Sequence, residues 1–303
     1  MYPYLLSLAM CLEVSASPKP GNIHRLLFRN NYYEKFLASC CLSLKWFNRG
    51  YRRGFRKWRS IVFGDLIYYC SRDIVTYLGR NDCLGSLTLL IPLSVNIGYC
   101  VKSNNVDLNC FRNTQYLLDS TTIYDSIFFY KAIRLTKPSH LKPIESSEFV
   151  DVWSWRYVKE LMERNQRLID VLKYSSRIEI VHDELLSNYS RSIDALGVLK
   201  NCLLDKRDWN DCVVYTYIYL LSKHIDTLIV RKHGLETARY VMERARDILR
   251  EFGSDRWFSE LDFFDSELRN RGINPGSIAD LVSSTISLYL IEKYLSEDKL
   301  LFY

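Results

Sequence analysis

A turn near the C-terminus carries polar residues at a spacing that could bind a phosphate. Asn274-Pro275-Gly276 predicts a rigid turn, because proline fixes φ and glycine can adopt a positive φ. Ser277 and Asp280 follow at the spacing of a capping box, and an apolar helix continues from them. A helix N-terminus carries free N–H groups and a partial positive charge, so it can hold a phosphate. The pattern therefore predicts a capped helix whose first residues, Gly276 and Ser277, can face a phosphate group.

A second candidate is the loop that contains Pro18-Lys19-Pro20-Gly21. The two prolines predict that Lys19 is extended and presented outward, and Gly21 allows a sharp turn. Hydrogen-bond donors follow within a few residues, at Asn22, His24 and Arg25. Such a loop suits a chain of phosphates. The alternative is a loop that ends a helix and leaves its charges in water.

A third candidate is the pair Asp226 and Arg231, which would lie nearly a turn and a half of helix apart. A carboxylate and a guanidinium at this spacing could bind Mg²⁺ and phosphate. Alternatively, Asp226 caps a helix N-terminus and Arg231 is solvated. The residues alone do not separate these two interpretations.

Composition argues against two common nucleotide-binding folds. The 303 residues contain only 12 glycines, and neither a G-x-G-x-x-G motif nor a Walker A loop occurs. Rossmann and P-loop folds need such glycines for close approach of the backbone to phosphates. The net charge of +6 is compatible with polyanionic ligands but is far from that of a dedicated nucleic-acid binder.

Basic residues concentrate in segment 49–59, whose cations are Arg49, Arg52, Arg53, Arg56, Lys57 and Arg59. Tyr51, Phe55 and Trp58 alternate with them, as in a surface that stacks on RNA bases. We favour the alternative, in which a solvated helix face carries the arginines and the aromatic residues anchor that helix to the core. Nucleic-acid binding through this segment is therefore possible but not favoured.

The nine cysteines show no CxxC spacing and no HExxH motif occurs, so we predict no zinc site. We expect mostly buried thiols rather than a disulfide framework, although single bridges stay possible. No run approaches the roughly 18 apolar residues of a membrane span. Val14-Ser15-Ala16 resembles a signal-peptidase site, but a basic n-region is missing. We therefore expect a cytoplasmic protein that does not enter a membrane.

Helical periodicity dominates the chain, and strand-like alternation is weak. We predict helices over residues 3–16, 31–48, 60–78, 83–101, 122–135, 208–222 and 234–252, a helical stretch from residue 157 and a last helix from residue 277. Residues 102–117 are polar and predict a loop. Together these predict an all-α fold, with one domain over residues 1–303 built as a single large multi-helix bundle.

The three candidate segments resemble signatures of the triphosphoribosyl-dephospho-CoA synthase family. Pro18-Lys19-Pro20-Gly21 resembles the family's first signature, Pro-Lys-Pro-Gly. Residues 226–234 are similar to Asp-Thr-x-x-x-Arg with a glycine following, and residues 275–281 resemble Pro-Gly-x-x-Ala-Asp-Leu. Asn22-Ile23-His24-Arg25 resembles the archaeal-type branch of this family.

Weaker similarities fall between these segments. Residues 79–85 are similar to the family's Gly-x-Asn-Thr-x-x-Gly at Asn81, but Asp82 replaces the threonine. Residues 120–125 resemble Thr-Thr-x-x-Asp, which also reads as a helix cap ending in Asp125.

A further weak similarity surrounds Glu184, which fits a family segment of the form Ala-Arg-x-Glu. Asp183 stands where arginine is expected. This exchange reverses a charge near a polyphosphate site, so it bears on the substrate and on catalysis.

The resemblance implies a transferase. In that family the 2′-hydroxyl of 3′-dephospho-CoA attacks C1′ of the ATP ribose, and adenine leaves. ATP and a dephospho-CoA-like acceptor are then the ligands, with Mg²⁺ on the triphosphate. The implied catalytic or Mg²⁺-binding carboxylates are Asp226 and Asp280, with Glu184 as a spare carboxylate. The implied phosphate- and nucleotide-binding residues are Lys19, Asn22, His24, Arg25, Asn81, Arg231, Gly276 and Ser277.

A second interpretation belongs to a different functional class. The chain could be a non-catalytic nucleotide- or RNA-binding protein on the same scaffold. The departures at Asp82 and Asp183 and the basic segment 49–59 favour it. The acceptor substrate and the oligomeric state stay open.

Overall fold

The computed structural model of this chain describes residues 1–26, 32–58, 60–137 and 148–297. Within these ranges every regular element is a helix, which confirms the all-α prediction. Arg59 of the basic segment lies outside the described residues. In chain order the helices are α1 (Tyr2–Ser15), α2 (Tyr32–Phe55), α3 (Gly64–Leu78), α4 (Leu84–Lys102), α5 (Leu108–Arg112), α6 (Gln115–Asp119), α7 (Ile123–Thr136), α8 (Tyr157–Glu163), α9 (Leu168–Ser175), α10 (Ile180–Leu186), α11 (Ser190–Leu204), α12 (Trp209–Lys223), α13 (Thr227–His233), α14 (Leu235–Arg250), α15 (Trp257–Asn270) and α16 (Gly276–Glu297).

The helices form two compact units. Unit 1 comprises Met1–Ser7 and Ala38–Tyr189, and unit 2 comprises Leu8–Leu37 and Ser190–Tyr303. The division falls inside α1 and inside α2, so the two units share these helices along the chain. A single domain over residues 1–303 stays a prediction.

In unit 1, α2 lies very close to α4 because glycines line their contact. A Cβ atom at Gly54 would lie 1.8 Å from the carbonyl oxygen of Val95. A Cβ atom at Gly98 would lie 2.0 Å from the carbonyl oxygen of Tyr51. Any side chain at either position would therefore force the two helices apart.

Helix α4 is long and apolar enough, by length and composition, to cross a membrane. However, 78% of its apolar window is buried inside the structure, as expected for a core helix. Thr88, Ser94 and Asn96 interrupt its apolar run, so the sequence pattern does not predict a span here. Asn96 uses its amide inside unit 1, where it donates to the carbonyl oxygens of Cys110 and Phe111 at 2.8 and 2.9 Å. Helix α4 is thus weak support for a membrane span.

In unit 2, α12 packs against α14, and both α12 and α16 pack against α11. Helices α12 and α16 are buried along most of their length, as at Tyr217 and Leu281. Helix α16 also contacts α13. This contact brings the first turn of α16 to Asp226, the residue that precedes α13.

Two stretches differ from the sequence-based prediction. Residues 102–117, predicted as a loop, contain α5, which Asp107 caps by accepting the N–H of Cys110 at 2.9 Å. Helix α15 is absent from the prediction, because charged residues and exposed aromatic residues interrupt its apolar pattern. Its buried face is nevertheless periodic and consists of Trp257, Leu261, Phe264 and Leu268.

The cysteines also differ from the expectation of mostly buried thiols. Disulfides join Cys100 to Cys110 and Cys202 to Cys212. The other five cysteines remain thiols, and three of these are buried. Both bridges close short stretches of chain, at the α4–α5 connection and at the α11–α12 connection.

Candidate functional site

Three segments that are distant in the sequence meet in unit 2. The side-chain amide of Asn22 donates to Oδ1 of Asn274 at 2.9 Å, which joins the N-terminal loop to the turn before α16. Asp226 accepts the backbone N–H of Ile278 at 2.9 Å, which joins the start of α13 to α16. These contacts bring the three segments together in one part of unit 2.

Gly21 allows the N-terminal loop to lie flat against this turn. Its φ is +74°, and a Cβ atom would lie 2.6 Å from the carbonyl oxygen of Ile273. Its N–H donates to Oδ1 of Asp265 at 2.9 Å. Glycine is therefore required at this position both for the backbone conformation and for the close approach.

Asp226 is a fully buried carboxylate that serves two helices. Its Oδ1 accepts the N–H of Ile229 at 2.9 Å and caps α13. Its Oδ2 accepts the N–H of Ile278 in the first turn of α16. The capping alternative considered for Asp226 is thus what the structure has, extended to a second helix. A buried carboxylate needs such donors, because burial without them is costly.

Ser277 does not occupy the position that its capping-box spacing predicts. The carbonyl oxygen of Pro275 accepts the N–H of Ala279 at 3.3 Å, so the helix starts before Ser277 and Pro275 is its cap. The Ser277 hydroxyl instead accepts a hydrogen bond from the hydroxyl of Thr227, with the two oxygens 3.1 Å apart. Gly276 leaves room for Leu228, whose Cδ2 would lie 2.8 Å from a Cβ atom there.

Lys19 is buried rather than presented outward, contrary to the expectation from its flanking prolines. Its ammonium group pairs with the buried carboxylate of Glu13 and lies 3.4 Å from Oδ1 of Asn22. Burial lowers the pKa of Lys19, while attraction from Glu13 and Asp280 opposes that shift. Burial likewise raises the pKa of Glu13. Lys19 therefore acts first as the partner of Glu13 inside unit 2.

His24 belongs to a second polar cluster, which ties the loop to α15. Its Nδ1 lies 3.0 Å from the Ser17 hydroxyl, and its Nε2 lies 3.3 Å from Oδ2 of Asp265. Arg269 donates from Nε to the same Asp265 oxygen at 2.6 Å. Burial alone would raise the pKa of Asp265, but the hydrogen bonds from His24 and Arg269 hold it below its ordinary value. His24 is almost completely buried, so its first role is to hold the loop.

Three charged residues among the predicted site residues of unit 2 reach solvent. Arg25 is exposed, and Arg231 and Asp280 are partly exposed. Asp280 acts electrostatically on Lys19, so its carboxylate lies on the side of the buried ion pair. Arg25, Arg231 and Asp280 are therefore charges that a ligand could contact from solvent, whereas Lys19 is fully buried.

Two predicted site residues, Asn81 and Glu184, belong to unit 1. Asn81 is buried, and its Oδ1 accepts the N–H of Cys83 at 2.9 Å just before α4. Glu184 is fully buried on α10, and its backbone carbonyl accepts the N–H of Tyr189 at 2.9 Å. The structure gives Asn81 a turn-forming role at the start of α4, and a binding role for either residue stays a prediction.

Mg²⁺ would find few ligands from the protein itself. Among the described residues, no group of three or more His, Cys, Asp or Glu side chains could hold a metal ion. Mg²⁺ at polyphosphates is usually held by one or two carboxylates together with phosphate oxygens. Both oxygens of Asp226 accept backbone N–H groups, whereas Asp280 is partly exposed.

The residues that hold the site together are not apparent from the sequence motifs. Asp265 and Arg269 lie in α15, which the pattern does not predict, and Glu13 lies in the predicted helix 3–16, before the motif that contains Lys19. The Tyr217 hydroxyl donates to the carbonyl oxygen of Pro20 at 2.8 Å, and its ring centre lies 5.9 Å from the ammonium of Lys19. One signal was available: Asp265 and Arg269 are four residues apart, a spacing typical of a helical ion pair.

The chain is similar to one enzyme family along almost its whole length, and shorter stretches are similar to curated proteins of that family. A family model described as ATP:dephospho-CoA triphosphoribosyl transferase matches residues 2–299. A "Probable 2-(5''-triphosphoribosyl)-3'-dephosphocoenzyme-A synthase" from Malonomonas rubra is 35% identical over 92 residues, 28% of this chain and 27% of that protein. A protein from Salmonella typhi with the same description, numbered 1, is 30% identical over 93 residues, 30% of this chain and 31% of that protein. The chain thus spans less than a third of either curated relative in these matches.

A solved structure supports the fold. The crystal structure of an Archaeoglobus fulgidus protein named as a triphosphoribosyl-dephospho-CoA synthase is similar with a TM-score of 0.61 and 24% sequence identity. The similarity covers 84% of this chain and 98% of that one. The helical architecture is therefore shared along most of the chain.

Proposed function

Because the chain belongs to the ATP:dephospho-CoA triphosphoribosyl transferase family, we propose that it transfers the triphosphoribosyl group of ATP to dephospho-CoA. The 2′-oxygen of 3′-dephospho-CoA forms a bond to C1′ of the ATP ribose, and the bond from C1′ to adenine breaks. Adenine leaves with the electron pair of that bond and takes up a proton. The proton of the attacking hydroxyl passes to a carboxylate of the protein.

The observation that carries this proposal is the meeting of three family-like segments in unit 2. Asn22 contacts the turn before α16, and Asp226 holds α13 against the start of that same helix. Arg25 and Arg231 supply accessible positive charge for the triphosphate. The first turn of α16 adds backbone N–H groups and a partial positive charge.

Asp280 is the carboxylate best placed to take the hydroxyl proton or to hold Mg²⁺ with the substrate phosphates. It is partly exposed, whereas Asp226 is fully buried and engaged with two helices. Bound Mg²⁺ would neutralise charge on the triphosphate. Asp226 is then a positioning residue, which keeps Thr227 beside Ser277. Glu184 stays the spare carboxylate of the proposal.

The remaining assigned residues have supporting roles in this proposal. Lys19 contributes positive charge from behind Asp280, and His24 fixes the loop that carries Arg25. Gly276 and Ser277 form the start of α16 that faces the phosphates. Asn81, in unit 1, is proposed as a nucleotide contact on the family similarity alone. A cytoplasmic location would match these substrates.

The reaction can be tested by measuring adenine release by chromatography. The protein is incubated with ATP and MgCl₂, with and without dephospho-CoA, and we expect adenine only when the acceptor is present. Asp280→Asn should lower turnover at least about a hundredfold, the scale of a lost general base or charge clamp. Asp262→Asn, an exposed aspartate on α15, is the matched control and should be fully active.

Two outcomes would contradict this proposal. If no acceptor yields adenine although ATP with Mg²⁺ raises the melting temperature, the protein is the non-catalytic nucleotide binder. If Asp280→Asn is fully active, the reaction stands but the assigned carboxylate is wrong.

A further inference from the structure

The basic segment of α2 separates into two faces in unit 1. Tyr51 and Phe55 stack on each other with their ring centres 6.3 Å apart, on the side where the Tyr51 carbonyl approaches α4. Trp58 contacts the rings of Tyr99 and Tyr116, each at 5.8 Å. The aromatic residues that alternate with arginines in the sequence are thus used for packing. Phe55 is the exposed member of this group, and the ammonium of Lys102 lies 5.3 Å from its ring centre.

The arginines of the same segment lie on another face of α2. Arg49, Arg52, Arg53 and Arg56 follow the i, i+3, i+4, i+7 spacing of one helical stripe. They line a concave pocket of about 450 Å³ with Trp46 of α2 and with Asp65, Leu66 and Tyr69 of α3. This volume lies within the range of roughly 300 to 1,000 Å³ that is typical of small-molecule sites.

The pocket has an excess of positive charge that its own residues do not balance. Arg53 forms a two-pronged ion pair with Asp65, with Nη2 and Oδ2 at 2.8 Å. Among the described residues that line the pocket, Asp65 is the single carboxylate, against four arginines. Arg52 and Arg56 are exposed at its rim. Cations held together in a concave surface repel one another, and a bound anion relieves that repulsion.

The aromatic residues of the pocket favour phosphate over a nucleobase. Arg49 lies over the ring of Trp46 at 4.5 Å, and that ring stacks on Tyr69 at 5.8 Å. Arg72 lies over the Tyr69 ring at 4.7 Å. Guanidinium groups therefore already cover faces on which a base could stack. Their forked N–H donors suit phosphate oxygens.

The stripe has a length that suits several phosphates in a row. Arg49 and Arg56 are seven residues apart, which corresponds to about 10 Å along a helix. Arg52 lies between them on the same stripe. A short chain of phosphates could therefore contact all three guanidinium groups at once.

We propose that the pocket between α2 and α3 binds a compact polyphosphate, held by Arg49, Arg52 and Arg56. Arg53 is held by its ion pair with Asp65 and is not counted among the ligand contacts. The ligand is either a free inorganic polyphosphate or the polyphosphate chain of a nucleotide. This site lies entirely in unit 1 and does not depend on the reaction proposed for unit 2.

The test compares three probes by calorimetry at physiological ionic strength: inorganic tripolyphosphate, ATP and a single-stranded uridine oligonucleotide. The pocket variant is R49Q/R52Q/R56Q, which leaves the Arg53–Asp65 pair intact. The matched control is R239Q/R250Q/R256Q, which removes the same charge from exposed positions of unit 2 that form only surface ion pairs. A third variant, R231Q, reports on the candidate site of unit 2.

We expect tripolyphosphate to bind the wild type and the control alike, and to bind the pocket variant at least about tenfold more weakly, because charge-assisted contacts are lost. R231Q should keep the binding at the pocket of unit 1 and lose only binding at the candidate site of unit 2. If the pocket variant also binds ATP more weakly by the same factor, the phosphates come from a nucleotide. If its ATP binding is unchanged, the ligand is a free polyphosphate. The inference is overturned if wild type does not bind tripolyphosphate, or if control and pocket variants lose affinity equally. It is also overturned if only R231Q loses binding, or if the oligonucleotide binds the pocket more tightly than tripolyphosphate.

Discussion

Both units place a buried aspartate where two helices begin, but they surround it differently. In unit 1, Asp125 accepts the N–H groups of residues 62–64 at the start of α3, and that of Thr122 before α7. In unit 2, Asp226 accepts one backbone N–H from α13 and one from α16. Both carboxylates are fully buried. One side chain thus fixes the relative position of two helix starts in each unit.

The surroundings show what each aspartate holds in place. At Asp125 the backbones themselves meet, since a Cβ atom at Gly64 would lie 2.3 Å from the Asp125 carbonyl oxygen. At Asp226 the neighbours are the hydroxyls of Thr227 and Ser277, which lie 3.1 Å apart. The same capping device therefore closes a packed junction in unit 1 and aligns polar groups in unit 2. In the proposed function Asp226 therefore positions these groups and does not act on the substrate.

The largest expected effect is on folding, at Asp125. Asp125→Asn replaces a charged acceptor of several buried N–H groups with a neutral amide that has one acceptor oxygen. We expect a loss of about 3 to 5 kcal/mol in the free energy of unfolding, measured with urea. Glu163→Gln, an exposed residue in a surface ion pair, is the control and should change it by less than about 0.5 kcal/mol. A loss at Asp125 as small as that of the control would contradict its role as an anchor.

A smaller loss of stability but a larger loss of activity is expected at Asp226. Asp226→Asn weakens two backbone contacts rather than several, which corresponds to about 2 to 3 kcal/mol in the free energy of unfolding. Adenine release per folded molecule should also fall, because α13 and α16 lose their alignment. Urea unfolding and adenine release should be measured on the same preparation. If activity per folded molecule equals that of wild type, the alignment of the two helices does not matter for the reaction.

The two aspartates also show what the sequence could and could not predict. The all-α fold and most helices follow from periodicity, and the Thr122–Asp125 capping box is recognisable from its spacing and present in the structure. The predicted capping role of Ser277 was wrong, because the acceptor that serves the first turn of α16 is Asp226, some fifty residues away in sequence. A local pattern cannot reveal a cap supplied by another helix.

Burial is the second point at which sequence patterns fail. Pro18-Lys19-Pro20 predicts an outward lysine from backbone restriction alone, but the position of Glu13 draws the ammonium group inward. The three candidate segments, by contrast, were identified from the sequence and do meet in unit 2. These segments are separated by most of the chain but lie together in the fold. Their joint resemblance to one family was therefore informative.

A moderate, pH-dependent effect is expected at Asp265, which ties the loop to α15. Its pKa is lowered in the folded protein, so its charged form stabilises the fold at pH values above its ordinary pKa of 3.8. That contribution is lost as the pH falls through the lower, folded value. Asp265→Asn should therefore lower the free energy of unfolding by about 1 to 2 kcal/mol at pH 7, and the difference from wild type should shrink in acid. Urea unfolding at a series of pH values measures this, and a difference that grows in acid would have the wrong sign.

The smallest expected effects distinguish a hydroxyl that only stabilises the fold from one that also contacts the ligand. Thr122→Ala removes the cap of α7 in unit 1 and should cost about 1 kcal/mol in the free energy of unfolding. Ser277→Ala removes the partner of the Thr227 hydroxyl in unit 2 and should cost about 0.5 to 1 kcal/mol. If the start of α16 faces the triphosphate, Ser277→Ala also raises the KM for ATP severalfold, whereas Thr122→Ala leaves it unchanged. Steady-state adenine release on both variants measures the difference. Equal KM values in the two variants would mean that the Thr227–Ser277 contact, like the Thr122 cap, only holds helices together.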